Sequence, residues 1–119
     1  MHYLFDGPGD APLTLALAHG AGAPMDSPFM VELARALGDR GWRVARFEFP
    51  YMVRRREDGK KRPADRQPIL LDTWREVIAD LGAEQLVIGG KSMGGRMASL
   101  VADEAGVRGL VCLGYPFHP

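Results

Sequence analysis

Two kinds of segment alternate along the chain. Segments in which apolar residues predominate cover about 13–18, 43–49, 86–89 and 107–113 and predict the strands of a parallel sheet that is buried on both faces. Between them lie segments in which apolar residues recur every three or four positions, as they do on one face of a helix. This order predicts an α/β fold with a parallel sheet core and flanking helices in a single domain, 1–119. A short edge strand is expected within the first dozen residues.

Turn residues set the bounds of three predicted helices. The first begins after Ser27, a good N-cap, with Pro28 at its first position, and stops at Gly41. The second is expected over about 68–81 and the third over about 93–104. The residues expected on the buried faces of the first two helices are Phe29, Met30, Leu33, Leu37, Leu70, Leu71, Trp74, Val77, Ile78 and Leu81.

The segment 52–67, between the second strand and the second helix, is strongly charged. Its basic residues are Arg54, Arg55, Arg56, Lys60, Lys61, Arg62 and Arg66. Together with Gly59, this composition predicts a mobile, solvated loop. A sharper hypothesis is that Arg54, Arg55 and Arg56 flank the mouth of a binding site and attract anionic substrates. Nucleic-acid binding is not expected, because no aromatic residues that could stack on nucleobases are interleaved with these basic residues.

The overall composition narrows the class of protein. Apolar residues make up 46% of the chain, and 15 acidic residues balance 15 basic ones, which is typical of a soluble globular domain. The charge balance does not suggest a nucleic-acid partner. No apolar run is long enough to suggest a membrane span. A single cysteine, Cys112, excludes an internal disulfide and is expected to be a buried packing residue. A cytoplasmic, reducing location is the prediction.

A chemical motif stands where a predicted strand runs directly into a predicted helix. The segment 90–94 reads G-x-S-x-G. A serine at such a sharp turn adopts a strained backbone conformation that presents its hydroxyl away from the sheet, and Gly90 and Gly94 leave room for the close passage of the chain. The helix after Ser92 offers unpaired amides, that of Met93 first, to a developing anion. The pattern predicts a nucleophile elbow and acyl transfer with Ser92 as the nucleophile.

Two other interpretations of this motif exist. Gly90, Lys91 and Ser92 also match the end of a phosphate-binding loop, but the first glycine of that motif would fall at Gln85. The strand also leaves no room for a phosphate-binding loop before the lysine. A glycine-rich turn without any chemistry is the second interpretation, and it stays open.

A second motif follows the first predicted strand, where His19 is followed by Gly20, Ala21 and Gly22. Acyl transfer requires two amide donors that face the oxyanion, and the second donor often comes from a His-Gly loop after an upstream strand. Ala21 is the best candidate for that amide, beside the amide that follows the serine. The place of His19 within the turn favours a structural role in holding the loop over a role as the catalytic base.

Four segments together resemble a known family: 19–22, 27–30, 47–52 and 90–96. They are similar to the bacterial α/β-hydrolase-like proteins, loosely termed dienelactone-hydrolase-like, which are related to a testis-expressed protein and to a subunit of the NSL chromatin complex. The resemblance covers essentially the whole chain and implies an α/β-hydrolase fold with Ser92 at the nucleophile position. It implies no particular substrate. The chromatin branch shows that such a fold can also serve as a protein-interaction module.

The sequence departs from this family at the catalytic triad, whose order is serine, acid, histidine. After Ser92 the chain offers only Asp103 and Glu104, on the helix directly behind the serine, and His118 at its end. The resemblance implies that the acid and the histidine lie on loops after later strands. We therefore expect a partial α/β-hydrolase fold, the N-terminal part of a larger hydrolase.

The leading hypothesis is thus an esterase or acyl hydrolase that acts on a small ester-like substrate without a cofactor or metal, since the three histidines have no ligand spacing. The alternative is a non-catalytic hydrolase-like interaction domain or an inactive fragment. The last strand, with Leu110, Val111, Cys112 and Leu113, would form an apolar sheet edge, so a homo-oligomer through that edge is also predicted.

Overall fold

The computed structural model describes residues 1–114, which form a five-stranded sheet with helices on both faces. The strands are β1 (Leu4–Asp6), β2 (Thr14–Ala18), β3 (Arg43–Phe47), β4 (Leu86–Lys91) and β5 (Gly109–Leu113). The helices are α1 (Pro28–Asp39), α2 (Pro50–Asp58), α3 (Gln67–Leu81) and α4 (Met93–Ala105), with a 3-10 turn over Ala83–Gln85. The predicted α/β class, with a mostly parallel sheet and flanking helices, is confirmed.

The sheet has the order β1-β3-β2-β4-β5, in which only β1 runs antiparallel to its neighbour. Ala18 at the end of β2 is in register with Phe47 of β3 on one side and with Gly90 of β4 on the other. Because parallel strands end at the same edge, the segments that follow these three residues meet there. That edge carries both sequence motifs.

The core lies on both faces of the sheet. On one face, Trp74 of α3 packs edge-on against Phe47, with their ring centroids 4.8 Å apart, and Met97 and Val101 of α4 join the same cluster. On the other face, α1 buries Met30 and Ala34 against β2 and β3. These apolar contacts fix the helices whose first turns approach the sheet's carboxyl edge.

The segment 52–67 was predicted to be a loop, and this prediction is wrong for its first half. Helix α2 runs through Pro50–Asp58, and β3 ends at Phe47 instead of extending to residue 49. Pro50 supplies the fixed backbone angle of a first helical residue, and Gly59 ends the helix in the left-handed region with φ 71°. Tyr51 and Met52 are buried, so this charged helix is held by an apolar base.

Three smaller expectations also need correction. Phe29 is not part of the buried face of α1, because 42% of its surface is exposed and the Lys91 Nζ lies 4.6 Å from its ring centroid. Ser27 precedes α1, but its side chain makes no capping hydrogen bond. Cys112 is only partly buried, since β5 is the last strand of the sheet within the described residues.

Within residues 1–114, no helix combines the length and the apolar character needed to cross a membrane.

Candidate active site

Ser92 occupies the turn between β4 and α4 in an unusual backbone conformation. Its φ of 50° and ψ of −112° make it the one non-glycine residue with positive φ in the described part of the chain. Such a conformation costs about 1–3 kcal/mol and persists only where the surroundings enforce it. Here the Ser92 amide donates to the Leu113 carbonyl oxygen at 2.7 Å, while the Ser92 carbonyl accepts from the Arg96 amide at 2.9 Å.

The glycines around this serine are required by close backbone contacts. A Cβ on Gly90 would lie 2.7 Å from the carbonyl oxygen of Ala18, and a Cβ on Gly94 would lie 2.5 Å from that of His19. Both distances are shorter than real carbon–oxygen contacts, so any side chain would push the first turn of α4 away from β2. The indole Nε1–H of Trp74 donates to the Gly94 carbonyl at 3.1 Å and ties the same turn to α3.

A cavity of about 310 Å³ opens in front of Ser92. The residues that line it are Gly20, Ala21, Gly22, Ala23, Ser27, Met30, Lys91 and Ser92. The structure therefore brings the His-Gly loop and the serine of the G-x-S-x-G motif to one site, as their spacing suggested. Met93, His19 and the three arginines Arg54, Arg55 and Arg56 do not line this cavity. Met93 begins α4 directly behind the serine, where the first amides of a helix have no intrahelical acceptor.

His19 is fully buried and both of its ring nitrogens are engaged. Nδ1 lies 2.6 Å from the carbonyl oxygen of Gly20, and Nε2 accepts the backbone N–H of Phe49 at 3.1 Å. These partners assign the neutral ring with its proton on Nδ1. Burial lowers the pKa of His19, although the hydrogen bond to the Gly20 carbonyl acts in the opposite direction. The ring thus joins the loop over residues 19–20 to the segment after β3 and has no free nitrogen for Ser92.

The three arginines that were predicted to flank the binding site each contact other groups of the protein. Arg54 Nη2 lies 3.0 Å from Asp65 Oδ1, and Arg55 Nη1 donates to the Gly22 carbonyl oxygen at 3.1 Å. Arg56 pairs with two carboxylates, at 2.6 Å from Glu48 and 2.9 Å from Asp26. The attraction of anionic substrates by these arginines stays a hypothesis.

Glu48 lies outside the Ser92 cavity but supports the loop before α1, a role that sequence reasoning missed. It is 4% exposed, and its Oε2 accepts both the Arg56 guanidinium and the Met25 amide, the latter at 3.1 Å. Burial would raise the pKa of this carboxyl, but the hydrogen bonds from Arg56 and Met25 outweigh burial and lower it. The charged carboxylate therefore anchors the loop between β2 and α1. An acidic residue within the apolar run 43–49 was the signal that could have pointed to it.

Among the described residues, no histidine, aspartate or glutamate lines the Ser92 cavity. The Ser92 hydroxyl has no hydrogen-bond partner in this part of the chain, and Glu104 of α4 is paired with Arg75 at 2.9 Å. His2 lines a different cavity, together with Glu48 and Arg56. His118 lies outside the described residues. Within the described range, no three His, Cys, Asp or Glu side chains come together as a metal site requires.

The fold is that of an α/β hydrolase, and the comparison with protein families agrees. Residues 11–119 match the model of the family described as an alpha/beta hydrolase domain, so the chain belongs to that family. No curated protein sequence matches it.

Solved structures show the same fold. The chain is similar to a structure from a study of carboxylesterases of the ammonia-oxidizing thaumarchaeon Nitrososphaera gargenis, with 22% identity, a TM-score of 0.65, and coverage of 93% of this chain and 39% of that one. A hydrolase from Pseudomonas aeruginosa PA01 gives 22% identity, a TM-score of 0.64, and coverage of 92% and 39%. A bacterial membrane phospholipase A, described as a virulence factor, gives 26% identity, a TM-score of 0.52, and coverage of 82% and 30%. The chain thus spans well under half the length of these hydrolases.

Proposed function

We propose that the protein is a serine hydrolase that cleaves a small carboxyl ester or a similar acyl bond, with Ser92 as the nucleophile. The observation that carries the proposal is the strained Ser92, with φ 50°, on the wall of a cavity that it shares with the His-Gly loop. Strain of this kind is concentrated at functional sites, because a purely structural turn would accept glycine, which adopts positive φ without strain. The cavity volume, about 310 Å³, suits a small substrate.

In the proposed reaction, Ser92 Oγ attacks the acyl carbonyl carbon and loses its proton to a general base. The base then returns the proton to the departing alcohol, and water releases the acyl group by the same route. The amides of Met93 and Ala21 are proposed to bind the oxyanion, because one directly follows the serine and the other lines its cavity. Each such donor is typically worth about 3–4 kcal/mol of transition-state stabilisation. The reaction needs no cofactor.

The base and its acid partner are proposed to lie outside residues 1–114. His19 is fully engaged by Gly20 and Phe49, and the described chain covers 39% of the hydrolases from N. gargenis and P. aeruginosa. The family order places both missing groups after the serine, which agrees with this proposal.

The finer assignment within the family is also a proposal. The segments 19–22, 27–30, 47–52 and 90–96 support the dienelactone-hydrolase-like branch and its chromatin-complex relatives. The single cysteine supports a cytoplasmic location. The second candidate function is a non-catalytic interaction domain that retains the serine turn for its fold, and the resemblance to the chromatin-complex branch supports it.

A fluorophosphonate probe, which phosphonylates activated serines, separates the two candidates when it is applied to the full-length protein. We expect labelling that is lost in Ser92→Ala and retained in the matched control Ser99→Ala, which removes the serine hydroxyl of α4 that donates to the Arg96 carbonyl at 2.6 Å. Hydrolysis of 4-nitrophenyl acetate should follow the same pattern. A wild-type protein that is not labelled would contradict the hydrolase proposal and leave the interaction domain. Equal labelling of wild type and Ser92→Ala would contradict the assignment of Ser92 as the nucleophile.

A further inference from the structure

Three successive carbonyl groups of the loop over residues 20–22 are each held by a side chain. In chain order, their oxygens accept from His19 Nδ1 at 2.6 Å, from the Tyr51 hydroxyl at 2.9 Å and from Arg55 Nη1 at 3.1 Å. The Tyr51 hydroxyl also lies 3.4 Å from the first of these oxygens. Two of the three donors belong to α2, the helix that the sequence pattern did not predict.

Fixing a carbonyl also fixes the amide that shares its peptide plane. In a trans peptide the C=O of one residue and the N–H of the next point in opposite directions, and the described residues contain no cis peptide. The held carbonyls of Gly20 and Ala21 therefore turn the amides of Ala21 and Gly22 away from Tyr51. Both amide-bearing residues line the cavity of Ser92, and Tyr51 does not.

Tyr51 is built to keep its hydroxyl in place. Only 1% of its surface is exposed, and its ring packs edge-on against that of His19 with 5.8 Å between centroids. Its backbone amide donates to Asp65 Oδ2 at 2.9 Å, which anchors the first turn of α2. Burial, with a contribution from Asp65, raises the pKa of Tyr51 to about 12, so the hydroxyl remains a donor throughout the neutral range.

We propose that Tyr51 and Arg55 are positioning residues for the loop over residues 20–22. Tyr51, through the Ala21 carbonyl, aims the amide of Gly22 into the Ser92 cavity, so that Gly22 adds a donor to the oxyanion site. Arg55 holds the Gly22 carbonyl, the other polar group of the same residue, and so keeps Gly22 in this orientation. This inference rests on the proposed hydrolase function and deepens it. It assigns to Arg55 a role in shaping the loop in place of attracting the substrate.

The decisive variant is Tyr51→Phe, which keeps the buried ring and removes only the hydroxyl. In full-length protein that hydrolyses 4-nitrophenyl acetate, we expect kcat to fall about tenfold, somewhat less than the loss of a whole oxyanion donor, with KM changed by less than about twofold. Tyr3→Phe is the matched control, because it removes a hydroxyl that donates to Asp80 Oδ2 at 2.7 Å, away from the cavity. We expect its kcat to equal that of the wild type.

Arg55→Gln tests the same idea independently and serves if Tyr51→Phe does not fold. A positioning role predicts a lower kcat for neutral and anionic esters alike. A raised KM confined to anionic esters would instead mean that Arg55 binds substrate, and would overturn the proposal.

The orientation of the loop can also be measured without any substrate. The carbonyl carbon resonances of Gly20 and Ala21 should shift in Tyr51→Phe and stay in place in Tyr3→Phe. If Ser92→Ala is inactive, the proposed function stands. Unchanged resonances or an unchanged kcat in Tyr51→Phe would then overturn the positioning role alone. Hydrolysis that persists in Ser92→Ala would instead overturn the proposed function, and this inference with it.

Discussion

Trp74 and Gly94 are joined across two helices, because the indole Nε1–H of α3 donates to the carbonyl oxygen in the first turn of α4 at 3.1 Å. Both partners are buried, and the same indole packs against Phe47 of the sheet. One side chain thus links the core to the turn that carries Ser92. The position of the serine depends on α3 as well as on its own strand and helix.

We predict that Trp74→Phe lowers the free energy of unfolding by about 2–4 kcal/mol, through lost buried volume and the loss of the indole hydrogen bond to Gly94. Trp42→Phe, at a partly buried tryptophan of the other face, should cost clearly less. Urea unfolding followed by circular dichroism measures both. Equal losses in the two variants would show that the hydrogen bond to Gly94 adds nothing.

Replacement of Ser92 by two small residues measures the backbone strain directly. Ser92→Gly relieves a strain of about 1–3 kcal/mol, while glycine in the unfolded chain costs about 0.5–1 kcal/mol. We therefore expect Ser92→Gly to be more stable than Ser92→Ala by about 1 kcal/mol, although both lack the hydroxyl. A Ser92→Gly protein that unfolds at lower urea concentration than Ser92→Ala would argue against strain at this turn.

The buried His19 predicts a loss of stability on acidification. Its pKa in the folded chain lies below the ordinary value of 6.5, so between the two values the unfolded chain binds the extra proton. The contribution of His19 is complete above about pH 6.5 and is lost as the pH falls through the folded value, with a slope of at most about 1.4 kcal/mol per pH unit. Glu48, whose pKa is also lowered, adds a further loss only below about pH 4.5.

Urea midpoints measured at half-unit steps from pH 7.5 to 4 should show this two-stage decline. Titration of the imidazole protons by NMR identifies the first stage. A His19 ring that titrates above pH 6.5 would contradict the neutral, doubly bonded ring seen here.

The exposed edge of β5 predicts self-association of the 119-residue chain. Leu110 and Val111 are 42% and 40% exposed at the end of the sheet in the described residues. We expect sedimentation of the chain to show concentration-dependent dimers, and Val111→Lys to suppress them, since a charge on an edge strand opposes pairing. Phe5→Lys, at the opposite edge of the sheet, provides the control. Monomers at every concentration would rule out this pairing.

Much of the fold could be predicted from the sequence, because the strands are rich in apolar residues and three helices carry a clear apolar period and are followed by glycine. Helix α2 was missed because its apolar residues, Tyr51, Met52 and Val53, all lie in the first turn and charged residues follow. It is held by contacts with distant segments, such as Tyr51 with Ala21 and Arg56 with Asp26. No local pattern encodes such contacts.

The residues of the candidate site likewise fall into those that the sequence predicted and those that it did not. Ser92, Ala21 and the neighbouring glycines were found from motifs, since a tight turn depends on a few consecutive residues. Glu48 and Tyr51 were not found, because each acts on a loop more than 20 positions away in the sequence. Phe29 was wrongly predicted to be buried, because a helical period cannot show which residues of the apolar face find a partner in the folded protein.

The two ends of the sheet are unlike each other. The antiparallel β1 closes one end, where Asp6 and Arg46 form an ion pair at 2.8 Å, whereas β5 is parallel to β4 and is bonded on one side only within residues 1–114. A parallel strand laid beside β5 would send its following loop to the carboxyl edge, next to Leu113, whose carbonyl already holds the Ser92 amide at 2.7 Å. A strand added beside β5 would therefore extend the sheet and, through its following loop, also place new side chains next to Ser92.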